Sequence, residues 1–163
     1  MRLVPLAAVL AALAFGAAPA APATGCSLVA AKAAVARGKI FVPGLTQNRV
    51  PISPSMVGGV ICLDFTRDGK TDMVATIDSG GTAGAIAWIA FRATPSGWQR
   101  VLARSGYKLG LVRAGTDLIS TQPIYRKNDA NCCPTGGFDH DRWHWNGSKL
   151  VVVRHWHGKS FTP

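Results

Sequence analysis

The sequence predicts an α+β fold: a β-rich single domain, built on a twisted antiparallel sheet of about six or seven strands with one N-terminal helix. Three observations carry this expectation. From Gly59 onward, short apolar segments alternate with Gly, Pro, Asn and Asp turns at regular spacing. Only residues 27–38 combine a helical apolar stripe with residues suited to both helix ends. Asn146-Gly147, a pair that readily adopts positive φ, separates two β-type segments near the C-terminus.

In chain order, Ser27 suits an N-cap, Leu28, Ala31 and Val35 fall on one face, and Arg37-Gly38 suits the C-terminal end. The stripe is thin, so the helix needs a sheet to lie on. Residues 39–54 form an extended connector broken by Pro43-Gly44, Asn48, Pro51 and Pro54, with Ile40-Phe41-Val42 as its one short strand candidate. Strands are expected at 59–65, 72–78, 85–92, 98–103, 107–112 and 117–125, followed by a hairpin of 142–145 and 149–156. Trp88 lies in a near-continuous apolar strand and is expected in the core.

Residues 1–23 read as a signal peptide. Arg2 is followed by an apolar run from Leu3 to Phe15, then by Ala18-Pro19-Ala20 and Ala21-Pro22-Ala23, both with the small residues that cleavage requires. The run is shorter than the roughly 20 residues a membrane-spanning helix takes, so no transmembrane span is expected in the mature chain. Residues 24–163 would then be the secreted β-rich domain, extracellular or periplasmic. Lipid anchoring at Cys26 is the alternative, since Gly25-Cys26 follows the leader.

The chain has 18 Lys+Arg against 8 Asp+Glu, a net charge of +10. Every acidic residue is Asp. The basic residues are scattered and no nucleic-acid motif accompanies them, so specific nucleic-acid binding is not expected. An anionic cell-wall or glycan surface, or another protein, fits the charge.

Asp64-Phe65-Thr66-Arg67-Asp68-Gly69-Lys70-Thr71-Asp72 places side-chain oxygens at positions 1, 3, 5 and 9, a Gly at 6 and the Lys70 carbonyl at 7. A hard cation such as Ca2+ wants that pattern, making Asp64, Thr66, Asp68, Lys70 and Asp72 the candidate metal site. The competing reading is a hairpin turn at Asp68-Gly69 whose flanking Asp residues accept backbone hydrogen bonds. The segment resembles the D-x-N-x-D-G-x-x-D loop of FG-GAP and VCBS-type repeats, departing from it at Thr66 and Arg67. Those proteins repeat the loop around a propeller, and a single copy does not imply that fold. The layout of Asp68-Gly69, Gly80-Gly81-Thr82-Ala83-Gly84, the 85–91 strand, Trp98 and Cys132-Cys133-Pro134 also resembles exported bacterial proteins, often lipoproteins. That likeness implies compartment and fold but no activity.

Cys26, Cys62, Cys132 and Cys133 suggest two disulfides, with three connectivities open. A bond between neighbours closes an eight-membered ring and is disfavoured, so Cys132 and Cys133 are expected each to take one of Cys26 and Cys62. Of the four histidines, His140 and His144 share a face with His155 and His157 if the last hairpin has a two-residue turn. Trp143 and Trp145 share a face, as core residues would.

Two functional classes follow. The first is a non-enzymatic binding or structural domain, secreted or envelope-associated and stabilised by Ca2+ at the Asp64–Asp72 loop. The second is a small secreted hydrolase using Asp139, His140 or Asp141 beside the Cys-Cys-Pro turn. A proteinaceous inhibitor, presenting Asn128–Gly137 as a pinned loop, is a third reading.

Overall fold

The structure, a computed structural model, describes residues 25–45 and 51–163. The expected signal peptide and residues 46–50 of the connector lie outside the described residues. The helix forms as expected: α1 spans Leu28–Gly38, and the Ser27 side chain accepts a hydrogen bond from the Ala30 amide at 3.1 Å. Its buried face is Ala30, Ala31, Ala34 and Val35.

Eight strands follow: β1 (Val57–Leu63), β2 (Asp72–Asp78), β3 (Ala85–Thr94), β4 (Gly97–Ser105), β5 (Gly110–Ala114), β6 (Asp117–Pro123), β7 (Phe138–Trp145) and β8 (Leu150–Gly158). They form two four-stranded antiparallel sheets, β1-β2-β3-β4 and β5-β6-β7-β8, where one sheet was expected. Each sheet is a meander of consecutive strands, so turn chemistry alone could not locate the break between them. Ile40 and Val42 are buried but belong to no strand; Ile40 is held by a hydrogen bond from the Ile52 amide to its carbonyl at 2.8 Å.

The strand parity explains the layering. Met73, Ala75 and Ile77 of β2 and Ala87, Ile89 and Phe91 of β3 pack with α1, Ile40, Val42 and Ile52. Val74, Trp88 and Ala90 point the other way and pack with Leu118, Trp143, Trp145 and Leu150 of the second sheet. The first sheet is therefore covered on both faces, which is why β3 reads as a continuous apolar run. Phe65 meets Trp145 with ring centroids 5.8 Å apart, and Trp88 meets Trp143 edge-on at 5.3 Å.

The disulfide expectation is corrected. Cys26 bonds to Cys62, and Cys132 bonds to its neighbour Cys133. Cys62 sits on the α1 side of β1, directly beneath the residue that precedes the helix cap, whereas the Cys-Cys-Pro loop lies beyond the second sheet. Among the described residues, no helix is long and apolar enough to cross a membrane.

Candidate functional site

The Asp64–Asp72 loop folds tightly, but it closes on its own backbone. Asp64 accepts hydrogen bonds from the amides of Asp68 at 3.2 Å and Gly69 at 2.9 Å. Asp72 is fully buried; one oxygen accepts the Thr66 amide and hydroxyl, both at 2.8 Å, and the other accepts the Ala93 amide at 2.9 Å. Asp68 accepts the Lys70 amide at 3.0 Å and pairs with the Lys70 ammonium at 3.3 Å. These bonds hold the Asp68 carboxyl below its ordinary range, the Lys70 amide contributing most. The candidate ligands thus meet in one loop, with the carboxylate oxygens of Asp64, Asp68 and Asp72 turned to N–H and O–H donors, the Thr66 hydroxyl among them. Among the described residues no group of three or more His, Cys, Asp or Glu is placed to hold a metal ion.

Arg67, at φ 61°, takes a conformation that costs a non-glycine residue, and the loop uses it to throw the guanidinium across to the second sheet. There it donates to Thr116 at 3.1 Å and lies 3.6 Å from Asp117. Asp117, buried at the start of β6, also accepts Arg142 at 2.7 Å and pairs with His144 at 2.9 Å. Burial raises its pKa, but the hydrogen bonds from His144 and Arg142 outweigh burial and hold it below the usual carboxylate range. The stability from this cluster is therefore present above the unfolded carboxyl pKa and is lost as pH falls through the folded one. Sequence reasoning missed Asp117; its only local signal is the two-residue turn Gly115-Thr116 that starts β6.

The histidine expectation is corrected by register. Asn146 Oδ1 accepts the amides of Ser148 and Lys149, so the β7–β8 turn has four residues, 146–149, and Trp145 pairs with Leu150. A bulge between Arg142 and Trp143 then shifts the ladder once more. One residue of slip moves side chains to the other face. His155 and His157 consequently lie opposite Asp141 and Asp139, with Nδ1–carboxylate distances of 2.8 Å and 3.2 Å. His140 faces away, fully buried, bonded to the Thr121 hydroxyl at 2.9 Å and stacked on Trp156 at 5.0 Å.

The Asp141–His155 pair borders a cleft of about 360 Å³ between the sheets. Trp88 and Trp143 form its floor, and Arg104, Ser105, Ser120, Gln122 and Asp139 complete the wall. Trp143 donates to Ser120 at 2.8 Å and lies under Arg104 at 5.1 Å, so its orientation is set by two neighbours. The Asp141 hydrogen bond raises the His155 pKa above its ordinary value. The charged pair is thus favoured below the unfolded histidine pKa and lost as pH rises through the folded one. In an NMR titration His155 is expected to titrate above the ordinary histidine range, and Asp141→Asn to bring it back; an unchanged midpoint in that variant would remove the pair.

Beyond the second sheet, the loop carrying Asn128–Gly137 is pinned mainly by Asp129, which accepts the amides of Arg126 and Thr135 and the Thr135 hydroxyl, each at 2.7 Å. The Thr135 hydroxyl and amide contribute most to holding its carboxyl below the ordinary range. Tyr107 and Lys108 hold Asn131 from the other side. Of the tryptophans, Trp88, Trp143 and Trp145 are core, while Trp98 and Trp156 are half-buried.

Comparison with family models, curated proteins and solved structures returned no match for this chain.

Proposed function

We propose that this chain is an exported or envelope-associated binding domain whose partner is an anionic surface. The observation that carries the reading is how the fold distributes its charge. The carboxylates of Asp64, Asp68, Asp72, Asp117, Asp129, Asp139 and Asp141 are all taken up by amides, hydroxyls, imidazoles or cationic side chains of the chain itself. Among the described Lys and Arg residues, only Arg67, Lys70 and Arg142 have a carboxylate within 4 Å. Exposed cations such as Lys32, Arg37, Arg100, Arg113 and Arg154 are left without one. The excess positive charge is therefore directed outward, where it favours a polyanion and speeds encounter with it. The Cys26–Cys62 disulfide supports the exported compartment, and it occupies the sulfur that a lipid thioether would need.

The test is retention of the purified chain on isolated cell-wall material and on anionic and neutral vesicles over a salt series. Retention on the anionic materials that weakens steadily with salt is expected. Equal retention on neutral vesicles, or none on any anionic material at low salt, would sink the reading.

One observation favours a hydrolase as the second reading. Asp141 holds Nδ1 of His155 beside an open cleft that also contains Ser105 and Ser120, and a general base is oriented in this way. Ester and glycoside hydrolysis abolished by His155→Ala would favour this reading over binding alone.

A further inference from the structure

The anionic-partner reading can be taken to a particular site, on which the following inference rests. Trp98 lies near the start of β4 on the α1 side of the first sheet and walls two neighbouring clefts. One, of about 330 Å³, runs between α1 and the sheet, with Arg37, Phe91 and Arg100 around the indole. The other, of about 400 Å³, is bordered by Cys26, Lys70, Thr71, Thr94 and Pro95. Among the described residues, no Asp or Glu lines either cleft. Arg37 and Arg100 have no ion-pair partner within 4 Å among the described residues, and Lys70 is shared with Asp68 at 3.3 Å.

This setting differs from those of the other tryptophans. Trp88, Trp143 and Trp145 are buried, and Trp156 is stacked between His140 and Arg154. The cleft between the sheets carries Asp139 and Asp141, which would repel an anion. At Trp98 a half-buried indole, two unpaired guanidiniums and threonine hydroxyls meet in a concave site.

We propose that Trp98 and its two clefts bind a linear carboxylated polysaccharide. The apolar face of one pyranose ring lies on the indole. Its carboxylate is held by Arg37 and Arg100, whose forked donors match a carboxylate. The next sugars run past Thr94, whose hydroxyl is held by the Gly97 carbonyl at 2.7 Å, toward Thr71 and Lys70, which supply hydroxyl and ammonium partners. A single-stranded nucleic acid would call for several exposed aromatics to stack successive bases, whereas Phe91 is buried and Trp98 is left to act alone. A bilayer surface would not enter two narrow clefts.

The test is titration of the purified chain with an oligogalacturonate, its carboxyl-reduced neutral counterpart and an oligonucleotide of equal charge, read by calorimetry and tryptophan fluorescence. The oligogalacturonate is expected to bind and to change the fluorescence, with the neutral sugar and the oligonucleotide at least about tenfold weaker. Trp98→Ala and the double variant Arg37→Ala/Arg100→Ala should each lose about tenfold or more, while Lys149→Ala/Arg154→Ala, which also removes two charges, loses much less. If Trp98→Ala melts early, the exposed arginine pair decides the matter. Salt-sensitive binding unaffected by either site variant overturns this site but leaves the anionic-partner reading standing. Tighter binding of the oligonucleotide, or equal binding of the neutral sugar, overturns the ligand class. Absence of binding to the oligogalacturonate while cell-wall material is retained also overturns it, and absence of both overturns the two readings together.

Discussion

Replacing both Cys26 and Cys62 by Ser should cost about 4 kcal/mol of stability, the chain-entropy value for a link closing a loop of this length. The two residues are 36 apart in sequence. The link also fastens an element with little else to hold it. α1 has 11 residues, near or below the length at which an isolated helix is stable, and its buried face is three alanines and one valine. Without the disulfide, α1 should exchange its amide hydrogens well before the strands do, because local opening follows the local contact energy. Urea unfolding followed by circular dichroism, with hydrogen exchange on α1, measures both effects. The comparison variant is Cys132→Ser/Cys133→Ser. That bond joins neighbours and closes no segment of chain, so its removal should stay within about 0.5 kcal/mol. Equal losses from the two pairs would contradict this account of what each bond restrains.

The same contrast marks what could be read from the sequence. The cap at Ser27, the strand at Asp72–Asp78, the core position of Trp88 and the β-rich class with one helix were all written in local patterns. The division into two sheets was not, because both sheets are meanders and the chain after Ser105 reads as running straight into a next strand at 107–112, with no signal for the break. Cysteine pairing was lost for a related reason: it depends on which strand lies under α1, and that is a tertiary fact. The histidine face failed on the bulge at Arg142/Trp143, whereas the four-residue turn capped by Asn146 moved the partners by two residues and left the face unchanged. That one-residue slip leaves no local signal, so a parity argument carried straight through the strand assigns His155 and His157 to the wrong partners. Asp117 was missed because its three side-chain partners come from residues 67, 142 and 144, remote in sequence and joined only by the packing of the sheets.

The second large effect is expected at Asp72, and it also decides between the two readings of its loop. Its carboxylate is fully buried and accepts three hydrogen bonds, two from Thr66 and one from Ala93. Asp72→Ala leaves the Thr66 and Ala93 amides without that acceptor and the Thr66 hydroxyl with only Asp64 at 3.4 Å, at a cost of about 3 kcal/mol, since unsatisfied buried donors are worth about 1–3 kcal/mol each and do not add fully. Asp72→Asn keeps the volume but turns one acceptor into a donor facing N–H or O–H. It should therefore fall closer to Asp72→Ala than to the native chain. For a domain of this size the loss corresponds to about 10 °C in melting temperature. A loop closed by its own amides should melt at the same temperature in Ca2+ and in EDTA, because its carboxylates are already saturated by polypeptide donors. If Ca2+ instead raises the melting temperature, and Asp64→Asn or Asp68→Asn removes the rise, a cation must displace those amide bonds. The loop would then be the cation site that its oxygen spacing suggested.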